Sequence, residues 1–320
     1  MLNSAQRRHI LKSAMAIAAA GPFAARAQES KGPLRIIVPL PAGGVADASV
    51  RFFGEAWTNL TKQAVVVDNR PGGSYLIGVQ SLLNAPPDGN TWLHLNNSLS
   101  AAQATFGRFD LTKQIIPIGL MGSTHSCIFV NHNSPIQNAK DLFDWLRANP
   151  GKANYGTVTG SIEHLLVAGL LKRYNLSATL VPFKGGPDTM TGLAQNEVQF
   201  ALSALPLMVP FKGRIRPIVI NSDTRSPLVP ELPTFKEAGF EAPVLNYYGA
   251  LAVHAATPRL IIDAHYKNAV ETLKNPTLVT KFQQQGMFAH TAPTEVMAKI
   301  IADEVKWMTP IAAELNLKAG

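Results

Sequence analysis

Early in this chain the same local unit occurs twice: a short β-branched run, a glycine-bearing turn, then a segment whose apolar residues recur every three or four positions. Arg35-Ile36-Ile37-Val38 leads through Pro41 to Val45 into a stretch carrying Val50, Phe53, Trp57 and Leu60 at helical spacing. Ala64-Val65-Val66-Val67 leads through Asp68-Asn69-Arg70-Pro71-Gly72-Gly73-Ser74 into Leu76, Val79 and Leu83, up to Pro86-Pro87-Asp88-Gly89. Period two giving way to period 3.6 across a glycine turn predicts strand, loop and amphipathic helix. Repetition of that unit predicts an α/β fold of mainly parallel sheet with flanking helices.

The pattern continues. Thr91 to Leu95 reads as a third strand running into Asn96-Asn97-Ser98, and Ile115 to Leu120 as a fourth. A second region opens near Cys127 to Val130, holds a helix over Ala139 to Asn149, and reaches a further strand, loop and helix around Ala153 to Ser161. Thr179 to Pro182 and Gln199 to Leu202 add strands, and Tyr247 to Val253 reads as a strand carrying the chain back. Two crossings, near residues 125 and 248, give a discontinuous first lobe (28–125 and 249–320) interrupted by a second (126–248), the connectivity a hinge requires.

The N-terminus is set apart. Arg7-Arg8-His9-Ile10-Leu11-Lys12, the short apolar run Ala14 to Ala20 and Ala25-Arg26-Ala27 make residues 1–27 a twin-arginine-like export signal cleaved after Ala27. The apolar run is too short to span a bilayer, so a soluble periplasmic protein is expected. Without Arg7, Arg8, Lys12 and Arg26, 25 basic residues face 21 acidic ones, a formal charge near +4. That mild excess, with no basic cluster interleaved with aromatics, argues against nucleic acid and favours anionic ligands. The single Cys127 cannot form an internal disulfide and, inside an apolar run, reads as a small buried hydrophobe.

Leu40-Pro41-Ala42-Gly43-Gly44 is the most informative turn. Its glycines let backbone approach a ligand, and the following helix aims unpaired N–H groups into it, which suits a carboxylate. A tight connection with Asp47 capping the helix would account for the same residues. A second loop, Thr157 to Ser161, brings Thr157, Thr159, Gly160 and Ser161 before a helix, with more hydroxyls than capping needs. His164 inside that helix reads first as a structural histidine bonded to nearby backbone. Lys184-Gly185-Gly186-Pro187 lacks the GxxxxGK[ST] spacing of a phosphate loop, and Gly72 to Gly78 lacks that of a dinucleotide turn. No GxSxG, HExxH or CxxC is present, and the eight histidines form no metal-spaced cluster, so neither cofactor nor metal is expected.

With these segments read, the chain closely resembles, over nearly its full length, the Bug-type periplasmic solute-binding proteins of tripartite tricarboxylate transporters. The resemblance rests on Arg35-Ile36-Ile37-Val38-Pro39 with Gly43-Gly44 and Asp47, and on Asp68 to Gly73, Pro87-Asp88-Gly89 and Ala148 to Gly156. It extends through His164-Leu165, Val181 to Pro187 and Pro233 to Gly239. It implies a Venus-flytrap fold without catalytic activity, expected to be a monomer, whose interlobe cleft holds a small organic anion: a dicarboxylate, an acidic amino acid or an aromatic acid. It also implies that the first glycine turn and the loop before His164 grip the ligand from opposite lobes, partly through ordered water, and that the loaded protein docks on membrane permease subunits. Ser74, Tyr75, Asn97, Lys184 and Ser203 complete the expected contacts. The chain departs from the pattern at Leu40, often aromatic, at Ala46, where a hydroxyl is common, in a second loop one residue shorter, and at Tyr75, which replaces a small residue and narrows or stacks in the cleft. Other readings are a ligand sensor, or a hydrolase or lyase with His164 as base and Asp47 as its partner.

Overall fold

The computed structural model describes residues 32–244 and 247–317; the export-signal reading of 1–27 lies outside them. In chain order the elements are β1 (Leu34–Val38), α1 (Val45–Thr61), β2 (Val65–Asn69), α2 (Leu76–Leu83), β3 (Thr91–Leu95), α3 (Asn97–Phe106), the single turn α4 (Leu111–Gln114) and β4 (Ile115–Thr124). Then come β5 (Ser126–Asn131), α5 (Ala139–Ala148), β6 (Asn154–Thr157), α6 (Ile162–Arg173), β7 (Thr179–Pro182), α7 (Gly186–Ala194), β8 (Phe200–Ala204) and β9 (Ile215–Asn221). Finally β10 (Tyr247–His254), α8 (Arg259–Leu273), α9 (Pro276–Gln284), β11 (Met287–Ala289) and α10 (Thr294–Glu314) complete the chain.

These strands form two sheets. The first has the order β11-β4-β10-β3-β1-β2 and the second β7-β6-β8-β5-β9. β1 pairs in parallel with β2 and β3, and β6 with β7 and β8. Relative to β1, the first sheet reverses only at β10 and β11; relative to β6, the second reverses only at β5. Each sheet is therefore mixed, with most strands pointing one way. The chain passes from the first sheet to the second across the single residue His125, and returns between β9 and β10.

Alternation along β1 explains why helices cover both faces of the first sheet. Ile36 and Val38 pack with Phe53, Trp57 and Trp92 on one face, while Ile37 packs with Val79, Leu93 and Leu99 on the other. Trp57 and Trp92 meet edge to face at 4.9 Å, anchoring α1 on β3. In the second sheet Ile128 and Val130 face one core, Cys127 and Phe129 the other. Cys127 is fully buried, and burial pushes its thiol well above its ordinary range, as a small core hydrophobe requires.

Two features depart from the expected arrangement. Asn97-Ser98 opens the helix α3, capped by Asn96, whose side chain accepts from the Ser98 amide at 3.0 Å. α10 does not stay with the first sheet: Met297 and Ile301 join its core, whereas Met308 and Ala312 lie in the core of the second.

Close packing sets one sharp expectation. A Cβ on Gly78 of α2 would sit 2.5 Å from Pro39 Cβ and 2.8 Å from Pro39 Cα, so Gly78→Ala must push α2 off the end of β1. We expect a loss of about 1–3 kcal/mol in denaturant unfolding. Gly169→Ala, in α6 with open space around the new methyl, should instead gain about 0.5–1 kcal/mol.

Candidate ligand-binding site

Between the sheets lies a cavity of about 120 Å³, room for one small organic molecule. Its floor is the pair of crossing strands. β4 contributes Met121, Gly122, Ser123 and Thr124, and β10 contributes Tyr247, Tyr248 and Gly249, in register as Tyr247 opposite Thr124 and Tyr248 opposite Ser123. Thr124 Oγ1 donates to the Gly286 carbonyl at 2.7 Å, tying the floor to the chain just before β11.

The walls are two helix starts. Gly44, the N-cap of α1, and Gly185, the N-cap of α7, carry no side chain that could cap, and Pro187 occupies the first turn of α7. Among the described residues, the amides of Gly44, Val45 and Ala46 and those of Gly185 and Gly186 have no protein hydrogen-bond partner, and all five residues line the cavity. The positive end of a helix dipole thus faces the cavity from each sheet. The turns touch one another: a Cβ on Gly44 would lie 3.4 Å from Pro187 Cδ, and one on Gly185 only 2.5 Å from Pro41 Cδ.

Of the residues expected from sequence, Leu40, Pro41, Gly44, Tyr75, Thr157 and Ser203 line this cavity. Ser74, Thr159 and Lys184 line a neighbouring pocket, and Tyr75 and Val158 border both. Tyr75 is carried there by a run of left-handed backbone: φ is +115° at Gly72, +59° at Gly73, +50° at Ser74 and +72° at Tyr75. Two non-glycine residues in that region cost of order 1–3 kcal/mol each, a cost borne where a side chain must be aimed. The phenol is buried, and burial together with the nearby Glu163 carboxylate raises its pKa well above the ordinary value.

Seven expected contacts face neither space. Ala42 and Gly43 are exposed; Gly43 has φ +80° and nothing within 4 Å of its would-be Cβ, so a side chain there strains the turn without meeting protein atoms. Asp47 accepts the Gly43 amide at 3.0 Å and pairs with Arg51. Burial disfavours its charge, but these bonds outweigh burial and hold its carboxyl below the usual range. Asn97 turns away, its amide nitrogen 2.7 Å from Glu304 Oε1 and its oxygen accepting the Tyr248 amide. Ser161 caps α6, accepting the His164 amide, and its Oγ lies 3.1 Å from Thr157 Oγ1. Gly160 donates its amide to His164 Nδ1 at 3.1 Å, and its φ of +76° under Phe106 leaves no space for a side chain. The start of α6 thus carries a side-chain cap, whereas that of α7 carries none and lines the cavity. With Asp47 tied to Arg51 and His164 to Gly160, the pairing that a hydrolase or lyase would need is not formed.

Residues without a sequence signal complete the cavity: His94, Ser98, Glu163, Leu207, Phe282 and Met287. Burial lowers the pKa of His94 to about 4, and its Nδ1 has no partner among the described residues. Glu163 is the one charged side chain lining the cavity among the described residues.

The profile of the family described as "Tripartite tricarboxylate transporter family receptor" matches residues 50–317. The chain belongs to that family. A curated Pseudomonas sp. (strain P51) protein, named for the tcbD-tcbE intergenic region, is 27% identical over the whole chain and 97% of its own length. A solved structure described as a periplasmic transporter is 26% identical, with a TM-score of 0.85 over 91% of this chain and 99% of its own. An R. palustris protein solved with adipate is 22% identical, with a TM-score of 0.85 over 90% and 99% of the two chains. The two-lobed periplasmic binding-protein fold follows, and the chain is a solute-binding member of the family rather than an enzyme. No helix of the described residues is long and apolar enough to cross a membrane.

The buried histidines give a pH signature. Burial brings both His94 and His164 to a pKa of about 4, against an unfolded value near 6.5. The unfolded chain therefore binds more protons between those values, so stability is full above pH 6.5 and falls as pH drops toward 4. His164→Gln, whose amide oxygen can still accept the Gly160 amide, should flatten the pH 6.5–5 slope of the unfolding free energy measured by denaturant titration.

Proposed function

We propose that this protein captures a small organic carboxylate between its two sheets, closes over it, and delivers it to the permease subunits of a tripartite transporter in the membrane. The observation that carries the reading is the pair of uncapped helix starts, α1 and α7, facing one cavity from opposite sheets. Their open amides suit a carboxylate, and no lysine or arginine lines the cavity among the described residues, so backbone supplies the attraction. Contacts from both sheets are complete only when the sheets are close, so ligand binding favours the closed form by the free energy of those contacts. The adipate in the R. palustris neighbour supports the same ligand class. Export by the leader 1–27, a mature chain starting at Gln28 and a monomeric state belong to this reading. Ser74, Thr159 and Lys184, in the adjoining pocket, serve in it as outer contacts.

A thermal-shift screen of the purified protein against organic acids tests the ligand class, because a ligand that binds only the native state raises the melting temperature. Stabilisation by neutral sugars and by no acid would refute it. Closure is tested by Gly185→Ala. The residue's φ of 173° suits any side chain, but the new methyl meets Pro41 across the cavity. We expect the unliganded melting temperature to stay within about 3 °C and carboxylate affinity, by calorimetry, to fall tenfold or more. Gly44→Ala, whose methyl meets Pro187 at an ordinary 3.4 Å, should lose much less.

A further inference from the structure

We propose that Glu163 makes the cavity select a carboxylate that also carries a protonated amine, and reject dicarboxylates of the same size. This rests on the carboxylate reading above and specifies its ligand class. Glu163 lies in the first turn of α6 and is half-buried, and its side chain lines the cavity. Ser98 Oγ donates to its Oε2 at 3.0 Å. Among the described residues no lysine, arginine or histidine forms an ion pair with it, although fourteen other ion pairs are formed. Around it stand the phenols of Tyr75 and Tyr247, both held in their neutral form by burial and by the carboxylate itself.

An ionised carboxylate accepts hydrogen bonds and donates none. In a cavity otherwise lined by apolar, hydroxyl and neutral groups, hydrogen bonds and the dipole of its own helix soften its charge, but no protein cation among the described residues neutralises it. A first-turn acid is favourable to the dipole of its own helix. That explains why a carboxylate is tolerated at this position, but not why it faces the cavity, because Ser161 already caps α6. The open amides of α1 and α7 and the Glu163 carboxylate line one cavity of about 120 Å³, so a single small ligand can meet both. A second ligand carboxylate would then stand beside a like charge in a poorly solvated space, whereas an ammonium group would neutralise it. The site attracts one end of the ligand and repels the wrong other end, which is how specificity is built.

The test is calorimetry with the purified protein and matched C3–C6 acids: unsubstituted monocarboxylates, the same chains bearing an amine, and dicarboxylates of equal length. In the wild type the best amino acid should bind at least tenfold tighter than its unsubstituted partner and than the matched dicarboxylate. Glu163→Gln, which keeps shape and Ser98 contact but removes the charge, should cut the amine preference at least fivefold and improve relative dicarboxylate affinity. If that variant does not fold, Glu163→Asp should weaken amino-acid binding while leaving unsubstituted acids within twofold. An unchanged amine preference in either variant, or a dicarboxylate as the tightest wild-type ligand, overturns the proposal while leaving the carboxylate reading intact. Binding of no acid in the panel overturns both.

Discussion

The whole site depends on backbone amides that the protein itself leaves unbonded. At α1 and α7 the N-cap is glycine, so no side chain can take the first-turn N–H groups, and at both the first turn opens on the cavity. Most other helices of eight or more residues in the described chain behave differently where a polar cap is available: Asn96, Asn138, Ser161 and Asn275 each accept from an amide of the helix they begin. Uncapped starts facing a cavity are destabilising until something with negative charge occupies it. The glycines serve a second purpose, because only residues without side chains let Gly185 and Pro41 approach so closely.

The fold was legible because it is written in periodicity. β-branched runs, glycine turns and three-four spacing located β1, α1, β2, α2 and both crossings, and the alternation along β1 sorted its side chains to two faces. α3 was missed for a physical reason: Asn97 to Ala102, Ala104 and Thr105 are all buried, so a helix of small and polar residues enclosed on most sides shows no amphipathic stripe. Fold and family were thereby recovered together, while the placing of α10 required seeing which core received Met308.

The candidate site was legible by halves. The turn before α1 was identified because paired glycines follow a strand and precede a helix. The turn before α7 has the same form, but in Lys184-Gly185-Gly186-Pro187 the missing phosphate-loop spacing says nothing about a carboxylate, so the sequence marks this turn only weakly. The three hydroxyls of Thr157 to Ser161 are the more conspicuous donors in sequence, yet capping and the Thr157–Ser161 contact engage two of them. The cavity floor had no local signal at all. Gly122 and Gly249 become neighbours only through the pairing of β4 with β10, and Phe282 and Met287 arrive from elements far along the chain.

α10 has a consequence for how the molecule comes apart. Two sheets joined by two crossings suggest two folding units that could melt one after the other. A helix that places Met297 and Ile301 in one core and Met308 and Ala312 in the other removes that independence. When either core opens, the helix loses part of its anchorage, and the remaining core loses packing with it. Packing shared in this way couples the two cores energetically, so opening one costs contacts in the other.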